Sequence, residues 1–162
     1  MTAALRIVIV GGGSGGWMSA AAFVRALHPA RYHITLIESD EIGAVGVGEA
    51  TLPHIKTFND LLGLNEAEFM RHAQATFKLG IEFCNWGAAG ERYIHPFGTF
   101  GEPWGGIDFQ HHWLRARQAG HAIAPFQEYS FVIAACRHNA FEFPDRDRKS
   151  IRSTYDYAYH FD

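Results

Sequence analysis

VGGGSGGW, residues 10–17, decides how this chain folds. Glycine loses more backbone freedom on folding than any other residue, so a run this dense needs a reason. Its neighbours supply one. Leu5 to Val10 reads LRIVIV, the short apolar, β-branched run of a buried parallel strand. Residues 17–28, WMSAAAFVRALH, are rich in helix formers, and Pro29 stops them. His33 to Glu38, HITLIE, predicts a second strand. Strand, glycine turn, helix and strand follow in that order. Within them Gly11, Gly13 and Gly16 fit G-x-G-x-x-G. The first glycine allows a tight turn, the second lets the backbone approach a pyrophosphate, and the third lets helix and strand pack closely. Free N–H groups and the helix dipole then face the phosphates. Glu38 ends the second strand, about 20 residues past the last glycine, where an acid accepts hydrogen bonds from an adenosine ribose. The pattern predicts an α/β, Rossmann-like dinucleotide site for FAD or NAD.

Composition sets outer limits. The chain has 162 residues, 48% of them hydrophobic and 19% charged, with a net charge of −3. That is enough for one domain, and no basic face points to nucleic acid. No stretch approaches the ~20 apolar residues of a membrane span, which argues against a membrane partner. Cys84 and Cys136 stand without a C-x-x-C motif and read as small buried hydrophobes in a reduced, cytoplasmic setting. His111 and His112 are adjacent and diverge by about 100° on a helix, so they predict no metal site.

Further along, the glycine-rich loop 42–53 precedes a helix over HIKTFNDLLG, with Pro53 in its first turn, Thr51 or a neighbour as its cap and Gly63 at its end. Asn65 and Glu68 form the start signal of another helix, to Ala73. Thr76 to Trp86 alternates, with Phe77, Leu79, Ile81 and Phe83 on one side and Lys78, Gly80, Glu82 and Cys84 on the other, which predicts a single half-buried strand. Residues 87–107 read as a long loop. Helices are expected over Asp108–Gln118, capped by Asp108, and over Phe126–Arg137. Residues 144–153 read as a solvated loop, and Ser153–Phe161 as a strand. A doubly wound sheet needs more strands than these, so the chain reads as the front part of a longer protein.

GGGSGGW at 11–17, LIES at 36–39, GVGEATLP at 46–53, FKLGIEFCNW at 77–86, HPFG at 95–98, HHWLR at 111–115 and YHFD at 159–162 occur in one order. This order resembles the flavin-dependent tryptophan halogenases, with GVGEATLP, the lysine of FKLGI and HPFG the most specific elements. The resemblance covers residues 1–162 and about the first third of a typical member. It implies an incomplete FAD-binding module of the glutathione-reductase type with helical and loop insertions. It also implies reduced FAD from a separate flavin reductase, O₂, and chloride or bromide as co-substrate. Hypohalous acid formed there reaches a lysine that presents the halogen to an aromatic, tryptophan- or indole-like ring; a homodimer is among the assemblies it allows.

Carried over by motif, the glycine loop is Gly11, Gly12, Gly13, Ser14, Gly15 and Gly16, and the ribose stretch is Glu38 and Ser39. The flavin-side loop is Gly48, Glu49, Ala50 and Thr51, the catalytic lysine is Lys78, and the substrate lining is His95 and Phe97. Trp104 is a further aromatic that could stack on substrate or pack in the loop. Ser14 and Gly15 stand where many members carry Thr and Ala. The family's catalytic glutamate, tryptophan-rich signature and halide site are expected beyond residue 162. Two other readings share the glycine turn and Glu38: a different FAD-dependent monooxygenase or oxidoreductase, and a non-catalytic nucleotide-binding fragment.

Overall fold

The computed structural model describes residues 4–42, 49–145 and 150–161. The chain divides into two compact units, one of Met1–Glu49, His54–Ala75 and Phe161–Asp162, the other of Ala50–Pro53 and Thr76–His160.

In the first unit, β1 (Leu5–Val10) and β2 (Tyr32–Ile37) form a parallel pair with Leu5 opposite Tyr32 and Val10 opposite Ile37. Helix α1 (Ser14–Ala26) makes the crossover and packs on both strands. This is the expected Rossmann-like βαβ, and the fold class is α/β. The helix starts at Ser14, not Trp17. Gly15 and Gly16 lie in its first turn, and at Gly16 close packing against the β1 end outweighs the poor helix propensity of glycine. Helix α2 (His54–Leu62) packs on α1, and Arg25 Nε donates to the Leu61 carbonyl at 3.0 Å, satisfying one of the free acceptors at the α2 end. Gly63, at φ +73°, closes it as expected. Helix α3 (Glu66–His72) begins as its sequence predicts, with Asn65 Oδ1 accepting from Glu68 N at 3.1 Å.

The second unit corrects several expectations. The predicted strand 76–86 is two strands, β4 (Thr76–Lys78) and β5 (Gly80–Cys84), parted at Leu79. They pair with different partners, and a period-2 pattern carries no record of which partner a residue meets. Strand β5 pairs antiparallel with β6 (Arg92–Pro96), which lies inside the stretch read as loop. Strand β4 pairs antiparallel with β7 (Ala158–Phe161), the shortened form of the strand expected from Ser153. Residues Ile151–Thr154 instead make a 3₁₀ turn. The sheet runs β3-β7-β4, where β3 is the two-residue strand Glu49–Ala50.

Helix α4 (Phe109–Gln118) has Asp108 at its N-cap, without a capping bond from the side chain. The helix expected over 126–137 is broken into a 3₁₀ turn, Phe126–Tyr129, and α5 (Phe131–Arg137). Ser130 makes the break. Its hydroxyl accepts from Ile133 N at 3.4 Å and caps α5.

The core of the second unit includes Leu79, Val132, Ile133, Tyr155, Tyr157, Ala158 and Tyr159. Phe77 stacks on Phe141 at 3.8 Å between centroids and meets Tyr157 edge-on at 5.4 Å. Both cysteines are exposed, contrary to expectation. Cys84 lies on the polar side of β5, opposite Arg92, and Cys136 near the end of α5.

Candidate functional site

Two groups of predicted residues take shape, one in each unit. In the first, the turn after β1 is built almost wholly by glycine. Gly11 has φ +120°, a conformation that L side chains rarely adopt, and its N–H donates to the Ile37 carbonyl at 2.8 Å. A Cβ at Gly16 would run into the Gly11 carbonyl oxygen, so helix and strand meet there only because the side chain is missing. A Cβ at Gly12 would run into the Glu38 side chain. Gly13 differs: it is the N-cap of α1, offers no capping side chain, and its Cβ position is open to 4 Å. The first-turn N–H groups of α1 thus have no capping side chain of the N-cap residue itself.

Two carboxylates border this turn. Glu38 Oε2 lies 3.3 Å from Trp17 Nε1, which donates to it. Glu49 Oε1 accepts from the Ser14 hydroxyl at 2.7 Å, so the Glu49 carboxylate stands at the positive end of α1. Ser39 Oγ accepts from Glu41 N at 3.2 Å in a local turn. Gly48 lies outside the described residues.

In the second unit, Lys78 ends β4 opposite Ala158. Directly opposed residues of an antiparallel pair share a face, and alanine leaves that face open. The Lys78 amine is half-buried. It donates to the Thr51 carbonyl at 2.9 Å and lies 5.3 Å from the centre of the Phe97 ring. Burial lowers its pKa from the ordinary 10.5. Phe97 is fixed through its backbone, donating to Leu79 O at 2.8 Å and accepting from Asp156 N at 2.6 Å. The motif glycines are steric necessities: a Cβ at Gly80 would come within 2.6 Å of His95 O, and one at Gly98 within 2.8 Å of Val132.

Thr51 does not cap α2. Its hydroxyl donates to Tyr159 O at 2.9 Å and accepts from Tyr159 N at 3.0 Å. The structure thus brings Thr51, Lys78 and Phe97 together, with Ala50 one residue before on β3. His95 stays exposed on β6, opposite Ile81. Trp104 is 78% exposed and lies beside His112, at 5.6 Å between rings, so its side chain is not core packing. Sequence reasoning missed Ala158 and Tyr159. Alternating tyrosines in YDYAYHF hint at a strand with one aromatic face, but only the register shows that the small residue between them faces the lysine.

Among the described residues, no group of three or more His, Cys, Asp or Glu side chains is placed to hold a metal ion. No described helix is long and apolar enough to cross a membrane.

The family model for tryptophan halogenase matches residues 6–162. This chain belongs to the tryptophan halogenase family. Among curated tryptophan halogenases, the tryptophan 7-halogenase RebH of Lentzea aerocolonigenes is 35% identical over 97% of the chain and 31% of its own length. The tryptophan 6-halogenase ThaL of Streptomyces albogriseolus is 36% identical over 96% of the chain and 31% of its own length. The chain therefore spans less than a third of these halogenases. Among solved structures it is similar to BrvH, a flavin-dependent halogenase from Brevundimonas sp. BAL3, with a TM-score of 0.84 and 44% identity over 97% of this chain and 30% of that one. It is similar also to Xcc4156, a flavin-dependent halogenase from Xanthomonas campestris, with a TM-score of 0.85 and 43% identity over 99% of this chain and 31% of that one.

Proposed function

We propose that residues 1–162 are the N-terminal part of an FAD-binding halogenase module, and that the protein carrying them halogenates an aromatic, tryptophan- or indole-like substrate. The turn residues fit the cofactor. Gly13 brings no side chain to the start of α1, so a pyrophosphate can approach the backbone there, and Glu38 directly follows β2, in position to accept from a ribose hydroxyl. Gly12, Ser14 and Gly15 complete that loop, Ser39 belongs with Glu38 to the ribose stretch, and Gly48, Glu49 and Ala50 are assigned to the flavin side. FAD, reduced by a separate flavin reductase, supplies the oxidation of chloride or bromide by O₂ to hypohalous acid.

The chain's own contribution is the lysine. As an ammonium, Lys78 donates a hydrogen bond to the oxygen of hypohalous acid and makes the halogen more electrophilic. As a free amine it takes the halogen on Nζ and releases water. Partial burial serves the second role by favouring the neutral amine. His95 and Phe97 are assigned to the lining of the substrate pocket.

The observation that carries this reading is the half-buried Lys78 amine, held on the Thr51 carbonyl beside the Phe97 ring. Lys78→Ala in the full-length protein should keep FAD affinity and flavin reoxidation by O₂ while losing halogenated product. Near-normal halogenation in that variant overturns the assignment. Omitting halide should abolish product, and oxygenated product without halide would mark an ordinary flavin monooxygenase.

A further inference from the structure

We propose that Thr51 is a positioning residue for Lys78, its hydroxyl locked to the Tyr159 backbone so that its carbonyl holds the lysine amine in place. This rests on the reading of Lys78 as the residue that presents the halogen.

The hydrogen-bond accounting at Thr51 is nearly closed. A hydroxyl has one proton to give, and this one gives it to Tyr159 O at 2.9 Å. It accepts from Tyr159 N at 3.0 Å. The Thr51 backbone N–H also donates to Tyr159 O at 2.9 Å. Three bonds thus tie one residue to one residue of β7, and Tyr159 is only 2% exposed. The hydroxyl proton is spent and cannot be donated to a cofactor. What Thr51 offers outward is its carbonyl, and that accepts from Lys78 Nζ at 2.9 Å.

The topology makes the arrangement possible. Strand β7 lies between β3 and β4, so Thr51, just past β3, and Lys78, on β4, flank it from opposite sides. The lysine opposes Ala158, the small residue of β7, and its amine reaches the far flank to meet Thr51. Threonine suits the post better than serine. Its β-branch stiffens χ1, keeping the hydroxyl on Tyr159 without sampling other rotamers. With one N–H committed to a fixed carbonyl and the Phe97 ring nearby, the remaining positions on Nζ point in a set direction.

The test compares Thr51→Val, which keeps the shape without the hydroxyl, with Thr51→Ser, which keeps the hydroxyl, both in the full-length protein. Three quantities are read: FAD affinity, kcat and KM for halogenation, and the pH dependence of Lys78 amine labelling by an acylating reagent, followed by peptide mass spectrometry. In Thr51→Val, kcat should fall by roughly 10²-fold, the scale for misplacing a reacting group by about an ångström, with KM and FAD affinity within about 2-fold. Lys78 should label faster, with a midpoint moved toward that of an ordinary lysine. Thr51→Ser should recover most of both changes. Loss of FAD affinity with Lys78 labelling unchanged would make Thr51 a cofactor contact and overturn the proposal, as would a folded Thr51→Val with normal kcat and labelling. The unaltered protein gives a further check that needs no variant to fold. At equal fractions of neutral amine, Lys78 should label about 5-fold or more slowly than a free lysine peptide, and equal rates would overturn the proposal. Labelling is independent of halogenation, so product formation by Lys78→Ala would remove the functional reading while leaving the Thr51–Lys78 geometry separately testable.

Discussion

At residue scale, the glycines of the first turn are not equivalent, and the differences can be measured. Gly13 has open space where a Cβ would go and an ordinary φ of −73°, so the protein itself tolerates a side chain there. Gly13→Val should therefore leave the melting temperature nearly unchanged while abolishing FAD binding, measured by flavin fluorescence quenching. Gly16→Ala should do the reverse first. Its methyl collides with the Gly11 carbonyl, an overpacking that costs about 1–3 kcal/mol, so the melting temperature falls. Lys78 carries a pH signature of its own. Burial lowers its pKa below the ordinary 10.5, so between the folded value and 10.5 the unfolded chain holds a proton that the folded chain lacks. Stability rises with pH wherever the unfolded state binds more protons. Relative to Lys78→Met, the unaltered protein should gain stability as pH climbs through that window and level off above it, in urea titrations at a series of pH values.

At the scale of elements, caps and strand pairing decide what holds. Ser130, 1% exposed, caps α5, and Ser130→Ala should cost about 1–2 kcal/mol in urea unfolding because Ile133 N then loses its partner in a buried place. Asp108 occupies the same position on α4 but makes no capping bond, so Asp108→Ala should stay within about 0.5 kcal/mol.

The same contrast explains what the sequence disclosed. The unit β1-α1-β2 and the Asn65 cap were legible because their signals are local: an apolar run, a glycine spacing, an asparagine three residues before Glu68. The split at Leu79, the β5-β6 pair and the central place of β7 were not. Each depends on pairing between distant residues, and alternation in TFKLGIEFC looks the same whether it meets one partner strand or two. The site followed suit. Motif resemblance picked out Lys78, Phe97 and Thr51 but carried no information on what the threonine is bonded to. Its attachment to Tyr159 is a fact of register that no motif records.

At the scale of the whole molecule, the two units differ in how their apolar residues are covered. Every apolar side chain that is buried among the described residues belongs to the second unit. In the first, Leu5, Val8, Val10 and Ile37 of the parallel pair are all more than half exposed. Parallel strands are ordinarily covered on both faces, and this chain spans 31% of the length of RebH and of ThaL. The isolated 162-residue chain should bind an apolar fluorescent dye strongly, and Val8→Thr with Ile37→Thr should weaken the signal. Full-length protein should bind little, and equal dye binding by the two forms would show that the strands stay uncovered.

The Thr51–Tyr159 attachment also has a consequence in time. Its partners are 108 residues apart, and chains are synthesised at about 5–20 residues per second. For roughly 5 to 20 s after Thr51 leaves the peptidyl-transferase centre, the strand that fixes it has not yet been made. From the synthesis of Lys78 until Tyr159 has been made, its amine lacks the carbonyl that the Tyr159 attachment holds in place for it. Chains abandoned between residues 78 and 159 carry every glycine of the turn and the lysine itself, yet lack the residue to which Thr51 is tied.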